Sequence, residues 1–190
     1  MNIICSDNEI IIRLLENDDK DFHLLHDWLS SKFVYDYYGD SGEKDFEFVK
    51  EKYVRKLNDE KQYPCIIEYE GKAIGYIQFF EVNRAEYDLS EDEYSKLGCY
   101  GKIVFGIDMF IGEDGYRDKG LGTRALKMLV NSIFSKYEAD IILIDPKTIN
   151  LRAIACYRKA GFKEQFIVSE REEKDGVKYD NLIMKIDGMR

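Results

Sequence analysis

Apolar and polar positions along the chain follow two different periods. Apolar runs rich in β-branched and aromatic residues predict strands, and apolar residues that recur every three or four positions predict helices. The predicted strands cover residues 10–14, 64–69, 73–81, 103–111, 141–144, 162–168 and 179–186. The predicted helices cover residues 19–29, 44–57 and 150–160, and another begins at residue 121. Because no repeat or linker interrupts this order, we predict a single domain over residues 1–190.

Short polar signals mark the ends of several elements. The stretch at residues 17–19 caps the first helix, and Asn150 caps the last helix, which Gly161 closes. Residues 70–72 predict a hairpin turn between two strands. The charged stretch at residues 172–176 is predicted as the turn between the last two strands.

Two stretches fit neither period. Residues 33–40, which end in Gly39 and Asp40, are predicted as a loop although they contain one phenylalanine and three tyrosines. Their rings either pack in the core or form the aromatic wall of a ligand cleft. Residues 83–102 are polar and acidic, with Glu86 among their carboxylates, and they form either a lid or substrate loop or a connection with no role in a site.

The junction between the fourth predicted strand and the next helix predicts an anion site. The loop at residues 117–123 reads RDKGLGT. A helix start leaves about four backbone N–H groups unpaired and carries roughly half a positive charge. Gly120 and Gly122 leave those amides open to a phosphate group. The loop matches neither a P-loop nor a dinucleotide fingerprint, and a glycine-bearing helix start without a ligand is the alternative.

Composition narrows the class of ligand. The formal net charge of −9 and the pI of about 4.9 argue against nucleic acid, whose binders carry a basic face, and permit a cationic ligand. No run of about 18 apolar residues predicts a membrane span. The N-terminal stretch lacks the basic region of a secretory signal, so we expect a cytoplasmic protein.

The cysteines and histidines predict neither disulfides nor a metal site. The four cysteines are scattered without C-x-x-C spacing, which favours free thiols in a reducing compartment. The two histidines lie in one helical segment and have no clustered partners, so no bound metal is predicted. These residues are Cys5, Cys65, Cys99, Cys156, His23 and His26.

Two longer motifs carry a resemblance to a known family. The strand, RDKGLG loop and helix, followed by a strand and by N-L-R-A-I-x-x-Y-x-K-A-G-F at residues 150–162, are similar to the GNAT acetyltransferase superfamily. Shorter segments resemble the aminoglycoside 6′-N-acetyltransferases, above all the acetyltransferase half of bifunctional acetyltransferase–phosphotransferase resistance enzymes. These segments are I-G-Y-x-Q at 74–78, G-I-D-x-F-I-G at 106–112, D-P-x-x-x-N-x-R-A-I at 145–154 and Y-Y-G at 37–39.

The resemblance implies a fold and a cofactor. The fold would be α+β (α/β), with a mixed, twisted central sheet that is splayed in the middle and has helices on both faces. The cofactor would be acetyl-CoA (coenzyme A), with its pantetheine along strand backbone in the splay and its pyrophosphate on the loop amides. Tyr157 would face the cofactor, and a role in helix packing is the alternative for this residue. The implied cofactor-binding residues are Met109, Phe110, Ile111, Arg117, Lys119, Gly120, Leu121, Gly122, Thr123, Asn150 and Tyr157.

The implied reaction is acetyl transfer to the 6′-amino group of an aminoglycoside, which confers resistance. Because an ammonium must lose a proton before it attacks a thioester, Asp108 is the predicted base or ammonium anchor. It interrupts an apolar strand, where an unpaired carboxylate is costly, and a structural hydrogen bond is the alternative. Tyr157 is predicted to protonate the departing thiolate, and a strand N–H near residues 109–111 to bind the oxyanion.

Four residues are predicted to bind the substrate: Tyr38, Gln78, Asp108 and Asp145. Asp145 follows a short strand, where ligand groups gather, although it could instead cap the following helix. We expect a small cationic substrate and no nucleic-acid or membrane partner. We also expect a monomer, with a dimer as the alternative.

Two positions depart from the 6′-N-acetyltransferase pattern. Phe105 stands where a tyrosine is common, so a hydroxyl for proton relay is missing, and Met109 stands where a glutamine is common.

Two other classes of function are open. One is acetylation of another amine, such as a polyamine, a protein N-terminus or a siderophore precursor. The other is a non-catalytic acyl-CoA sensor.

Overall fold

A computed structural model describes residues 2–38, 43–85 and 87–188. Its strands are β1 (Ile3–Ser6), β2 (Ile10–Leu14), β3 (Gln62–Tyr69), β4 (Lys72–Glu81), β5 (Val104–Ile111), β6 (Ile141–Ile144), β7 (Lys163–Lys174) and β8 (Val177–Asp187). Its α-helices are α1 (Asp19–Ser30), α2 (Lys32–Tyr37), α3 (Phe46–Leu57), α4 (Glu91–Lys96), α5 (Leu121–Lys136) and α6 (Leu151–Ala160). A helix that could cross a membrane is not found among these residues.

The eight strands form one sheet in the order β1-β2-β3-β4-β5-β6-β8-β7. The pair β5–β6 is parallel, and the other pairs of neighbours are antiparallel. Pairing between β5 and β6 covers only residues 104–106 and 141–143. Beyond residue 106, β5 continues to Ile111 along β4 but has no paired strand on its other side in the described residues. The sheet is therefore mixed and splayed in its middle, which confirms the predicted fold class.

Side-chain alternation along the central strands separates two cores, one on each face of the sheet. Ile66 of β3, Tyr76 of β4 and Phe110 of β5 pack with apolar residues of α1, α2 and α3. Their neighbours Ile67 and Ile77 pack with apolar residues of α5 and α6. The helices thus cover both faces of the sheet. Residues from both faces can therefore line a cavity in the splay.

Residues 83–102, which had no assignment from the pattern, pack onto the sheet around a third core. Tyr87, Leu89, Tyr94, Leu97 and Cys99 are buried together with apolar residues of β5, β6 and β8. The short helix α4 within this segment begins with a capping box. Glu86 lies outside the described residues, as do Gly39 and Asp40.

Three predictions about elements are wrong. Residues 32–37 form α2 rather than a loop, because Ser31 caps this helix by accepting a hydrogen bond from the backbone N–H of Val34. Residues 10–14 are not the first strand, because β1 precedes them and pairs with β2. The turn between the last two strands does not span residues 172–176. Strands β7 and β8 extend until only Asp175 and Gly176 separate them, and these two residues adopt positive φ.

The predicted caps and hairpin turn are confirmed. Asp18 caps α1 by accepting a hydrogen bond from the backbone N–H of Asp21 at 2.9 Å. Asn150 caps α6, and Gly161 ends that helix with φ of 109°. The turn between β3 and β4 contains Gly71 with φ of 77°, a conformation that glycine adopts without steric cost.

Gly75 of β4 lies too close to β5 to accommodate a methyl group. An added Cβ would lie 2.4 Å from the carbonyl oxygen of Phe110, which is backbone and cannot rotate away. We predict that Gly75→Ala lowers the free energy of unfolding by about 2 kcal/mol in urea denaturation, because β5 must move away from β4.

Gly115→Ala is the matched control, because a Cβ added there meets no atom within 4 Å. Its free energy of unfolding should stay within about 0.5 kcal/mol of the wild type. Equal losses in the two variants would show that close packing at Gly75 is not the cause.

Candidate active site

A cavity of about 530 Å³ opens where β5 and β6 separate. Its walls come from β4 and β5, the end of β6, β7, α2, α3, the loop before α5, and α6. Lys119 is the only predicted site residue that does not line it, and its Nζ lies 5.7 Å from the ring centre of Tyr116. The predicted residues that line it are Tyr38, Gln78, Asp108, Met109, Phe110, Ile111, Arg117, Gly120, Leu121, Gly122, Thr123, Asp145, Asn150 and Tyr157.

The start of α5 presents backbone amides to this cavity. Gly120 is the N-cap, with φ of 79°, and no side chain caps the helix. Each of the other five α-helices in the described residues has a side-chain cap. A Cβ added to Gly122 would lie 3.5 Å from the Cε of Met109 and 3.6 Å from the Cγ1 of Ile111, so this turn lies against the splayed part of β5. An uncapped, positively polarised helix end of this kind can bind an anion.

Arg117 fastens the loop before α5 to the end of β5. Its Nε donates to the carbonyl of Ile111 at 3.0 Å, and its Nη2 donates to the carbonyl of Gly112 at 2.6 Å. Its Nη1 pairs with Asp114, and its guanidinium lies 3.8 Å from the ring centre of Phe33. These contacts occupy most of the guanidinium, so Arg117 positions the loop. A direct contact between Arg117 and a phosphate stays a prediction.

Asp108 is held in the cavity wall by a chain of hydrogen bonds. The Nε2 of Gln78 donates to Oδ2 of Asp108. The Oε1 of Gln78 accepts from Lys56 Nζ at 2.8 Å and from the Tyr76 hydroxyl at 2.7 Å. With two donors on its oxygen, the amide must turn its NH₂ group toward the carboxylate. Asp108 therefore has the structural hydrogen bond that was the alternative, and it faces the cavity as well.

The surroundings of Asp108 change its acidity in opposite directions. Burial raises the pKa of this carboxyl, and the nearby ammonium of Lys56 and the hydrogen bond from Gln78 oppose the rise. The negative charge of Glu172 raises the pKa further. A buried carboxylate whose pKa is raised accepts a proton more readily than an exposed one, so Asp108 can both attract a cation and take up its proton.

Asp145 lies just beyond the end of β6 and pairs with Arg171 of β7. The Nε of Arg171 donates to Oδ2 of Asp145 at 2.9 Å, and the Nδ2 of Asn181 donates to the backbone carbonyl of Asp145 at 2.7 Å. The alternative that Asp145 caps α6 is wrong, because Asn150 has that role. Burial and the charge of Asp108 raise the pKa of Asp145 to about 7, although Arg171 opposes the rise.

Tyr157 of α6 is buried and also lines the cavity. Its ring centre lies 6.3 Å from that of Phe162, so the packing role and the cavity position both hold. Burial raises the pKa of its hydroxyl, and the charges of Asp108 and Asp145 add to the effect. The hydroxyl is therefore protonated at neutral pH and can act as a donor.

The aromatic stretch contributes three rings to the cavity wall. Phe33, Tyr37 and Tyr38 line it, and the Tyr38 ring centre lies 4.8 Å from that of Phe110. Tyr35 instead donates a hydrogen bond to Asp175. The short helix α2 thus turns part of the stretch toward the cavity.

Several residues that line the cavity are not predicted as site residues by the sequence. Lys52 and Lys56 are one helical turn apart on α3, which is a spacing that could have been noticed. Arg152 of α6 pairs with Asp118 of the loop before α5 at 2.9 Å. Glu172 lies in β7, within the stretch that the sequence pattern predicts as a turn. By contrast, no described residue of the segment 83–102 lines the cavity, so it does not form a lid in this structure.

The two departures from the 6′-N-acetyltransferase pattern differ in consequence. Phe105 does not line the cavity, because its ring packs in the core, 6.0 Å from that of Phe79 and 5.9 Å from that of Tyr137. A hydroxyl at that position would not reach the carboxylates. Met109 does line the cavity, so the missing side-chain donor there changes the wall itself.

This arrangement of sheet, loop and cavity has counterparts among known proteins. A family model described as an acetyltransferase (GNAT) domain matches residues 17–169. The chain belongs to the GNAT acetyltransferase family. Over 166 residues this acetyltransferase is 32% identical to the aminoglycoside N(6′)-acetyltransferase type 1 of Klebsiella pneumoniae, a match that covers 86% of this chain and 79% of the relative.

Solved structures extend the comparison to the fold. The acetyltransferase superposes on aminoglycoside acetyltransferase AAC(6′)-Ib in complex with coenzyme A and kanamycin with a TM-score of 0.72, 27% identity and 94% coverage of both chains. It also superposes on AAC(6′)-Ib in complex with parmomycin and acetyl-CoA, with a TM-score of 0.74 and 28% identity over 95% of this chain and 94% of that one.

The raised pKa of Asp145 predicts how the stability of the ligand-free acetyltransferase varies with pH. Between about pH 4 and the folded pKa of about 7, the folded protein keeps a proton that the unfolded chain releases. Rising pH therefore lowers the free energy of unfolding, by at most about 1.4 kcal/mol per pH unit for one group. We predict that Asp145→Asn makes this decline shallower, as measured by urea denaturation at about pH 5, 6 and 7.

Asp92→Asn provides the control, since Asp92 is exposed on α4 and lies outside the cavity. This variant should keep the wild-type dependence on pH. A decline in Asp145→Asn as steep as that of the wild type would show that Asp145 does not retain its proton.

Proposed function

We propose that this protein transfers the acetyl group of acetyl-CoA to the 6′-amino group of aminoglycosides of the kanamycin type and so confers resistance. One observation carries the proposal: the uncapped start of α5 and the half-buried carboxylate of Asp108 open on one cavity. They stand on opposite sides of the splayed half of β5, as a two-substrate transfer requires. The names of the relatives support the choice of amine.

The cofactor half of the cavity suits a long, anionic ligand. The amides of residues 120–123 supply a pyrophosphate site, and Arg152 adds a cation to this end. In the described part of the chain, no strand lies beside residues 109–111 on the β6 side, so their backbone groups can pair with the amides of a pantetheine arm. Acetyl-CoA bound in this way supplies an activated acetyl thioester.

The substrate half suits an amine. Asp108 and Asp145 both line it, and Tyr38 and Gln78 complete the wall. Each well-placed carboxylate can contribute on the order of 1–3 kcal/mol to binding an ammonium through charged hydrogen bonds. Asp108 is the anchor on the splayed strand itself, and Asp145 provides a second anchor for an amino sugar that carries several ammonium groups.

The proposed transfer forms one bond, breaks another and moves two protons. The deprotonated amine nitrogen bonds to the acetyl carbon while the carbon–sulfur bond breaks. Asp108 takes the proton that the ammonium loses, and Tyr157 gives a proton to the departing thiolate. Positioning of the amine against the thioester contributes more to the rate than either proton transfer.

The free thiols of the protein support a cytoplasmic location. All four cysteines are unpaired in the structure, and thiols persist in a reducing compartment. A monomeric state stays a prediction.

Steady-state assays with purified protein test the proposal. With acetyl-CoA present, we predict that kanamycin and tobramycin release free thiol, and that spermidine, a linear polyamine, releases at least about tenfold less at equal concentration. Thiol release is followed with a chromogenic disulfide reagent, and the acetylated position is assigned by NMR. Turnover of spermidine without turnover of kanamycin would refute the aminoglycoside assignment, and cofactor binding without any turnover would favour an acyl-CoA sensor.

Asp108→Asn tests the proposed base. The change keeps the shape of the side chain and removes its ability to accept a proton, so kcat for kanamycin should fall by about a hundredfold or more. Circular dichroism and the affinity for acetyl-CoA should stay close to wild type. The control Asp92→Asn should keep full activity, and an unchanged kcat in Asp108→Asn would remove this residue from proton transfer.

A further inference from the structure

Arg171 reaches the cavity wall because β7 is irregular at this point. Residues 168 and 172 of β7 pair with residues 181 and 179 of β8, so residues 169–171 stand opposite Asp180 alone. Glu170 adopts φ of 53°, and its N–H donates to Oδ1 of Asp180 at 2.9 Å. Extra residues of this kind bend a strand and redirect a side chain. Here the bulge turns Arg171 inward, and its side chain is only 8% exposed.

The guanidinium of Arg171 joins three separate parts of the chain. Its Nε donates to Oδ2 of Asp145 at the end of β6. Its Nη1 donates to the carbonyl of Asp88 at 2.9 Å, and its Nη2 donates to the carbonyl of Tyr87. The same group lies 5.0 Å from the ring centre of Tyr87. One side chain therefore bridges β7, the predicted substrate carboxylate and the segment before α4.

We propose that Arg171 is a positioning residue, which orients the carboxyl group of Asp145 for a substrate ammonium and ties residues 87–88 to it. This inference rests on the proposed function for the role of Asp145 in binding an amine. The tie between the two segments is a structural claim that can be tested without turnover.

The geometry of the contact requires an arginine. Three acceptors lie around one planar group, and a guanidinium can reach all three with fixed N–H directions. A lysine carries the same charge on a single nitrogen and cannot span them. The charge and the bridge can therefore be separated by substitution.

The charged neighbours of Asp145 show what the arginine opposes. Asp108 of β5 and Glu172 of β7 are negative, and Tyr87 and Tyr157 face the site from the segment before α4 and from α6. Two further cations are committed to other groups: Lys147 pairs with Glu172 at 3.2 Å, and Lys56 bonds to Gln78. Arg171 is therefore the cation in direct contact with Asp145 among the described residues. Without it, burial and two like charges would favour the neutral acid.

The bridge connects the segment before α4 to Asp145, although this segment does not line the cavity. Tyr87 is buried, and Asp88 has φ of 50°. Two successive carbonyls of this stretch converge on one guanidinium. Removal of the donor would leave them without that partner, and the stretch should then open locally more often.

The test compares Arg171→Gln and Arg171→Lys with the control Arg158→Gln. Arg158 is also paired with a carboxylate, Glu164, but it is exposed on α6 and lies outside the cavity. Hydrogen exchange, read by mass spectrometry, is measured for peptides that cover residues 83–98 and, as a check on folding, for peptides from α5. Values of kcat and KM for kanamycin are measured between about pH 5.5 and 8.5 at saturating acetyl-CoA.

Both Arg171 variants should exchange residues 83–98 faster than the wild type, with α5 unchanged. Arg171→Gln should also raise KM about tenfold near neutral pH, with a smaller change in kcat, and move the acidic limb of kcat/KM about one pH unit upward. Arg171→Lys should keep that limb near its wild-type position, because the charge remains. The ionisation of kanamycin is common to all variants and cancels in the comparison. Arg158→Gln should match the wild type throughout.

Two results would overturn the inference. One is wild-type exchange of residues 83–98 in both Arg171 variants, and the other is an acidic limb of Arg171→Gln that does not move. If Arg171→Gln does not fold, the exchange and the acidic limb of Arg171→Lys decide the outcome. If the wild-type protein does not acetylate kanamycin, the proposed function fails, and the exchange measurement alone then decides whether Arg171 holds the two segments together.

Discussion

The separation of β5 from β6 after three paired residues is the constraint on which the site depends. While the two strands are paired, they form a continuous sheet with a core on each face. Past residue 106, β4 is the only strand that pairs with β5 among the residues that the structure describes, and the gap on the other side becomes the cavity. Since alternate residues of a strand point to opposite faces, the gap exposes Asp108 toward the helices α1 to α3 and Met109 toward α5. In the proposed function, one strand thus contacts both substrates.

The electrostatics of the cavity differ from those of the whole chain. The chain carries a formal net charge of −9, but basic side chains outnumber acidic ones among the described residues that line the cavity. The two carboxylates that we propose for substrate binding are each linked to a cation, Asp108 to Lys56 through Gln78 and Asp145 to Arg171 directly. Without such partners, these carboxylates would keep their protons up to a higher pH and would attract an ammonium less strongly at neutral pH. The net acidity of the sequence therefore does not account for cation binding.

The local signals that were predicted correctly are those that depend on neighbours in sequence. The cap at Asp18, the cap at Asn150 and the glycine at the end of α6 are each decided within one helical turn. The buried strand around Asp108 was recognised by its apolar run. Three short elements were missed, namely β1, α2 and α4. Four or six residues carry too little periodicity to separate a strand or helix from a loop, and the partner of β1 in the sheet is what makes it a strand.

The sequence by itself determined the membership of a family, the glycine-bearing helix start and the acid at residue 108, because these follow from residue types at fixed short spacing. Only the tertiary structure decided what surrounds that acid. Lys56 and Gln78 lie 22 residues apart, and Arg171 lies 26 residues from Asp145. A bulge in β7 turns Arg171 inward, and the local sequence pattern does not predict this bulge. Contacts across such separations depend on strand order and register, which set where each side chain points.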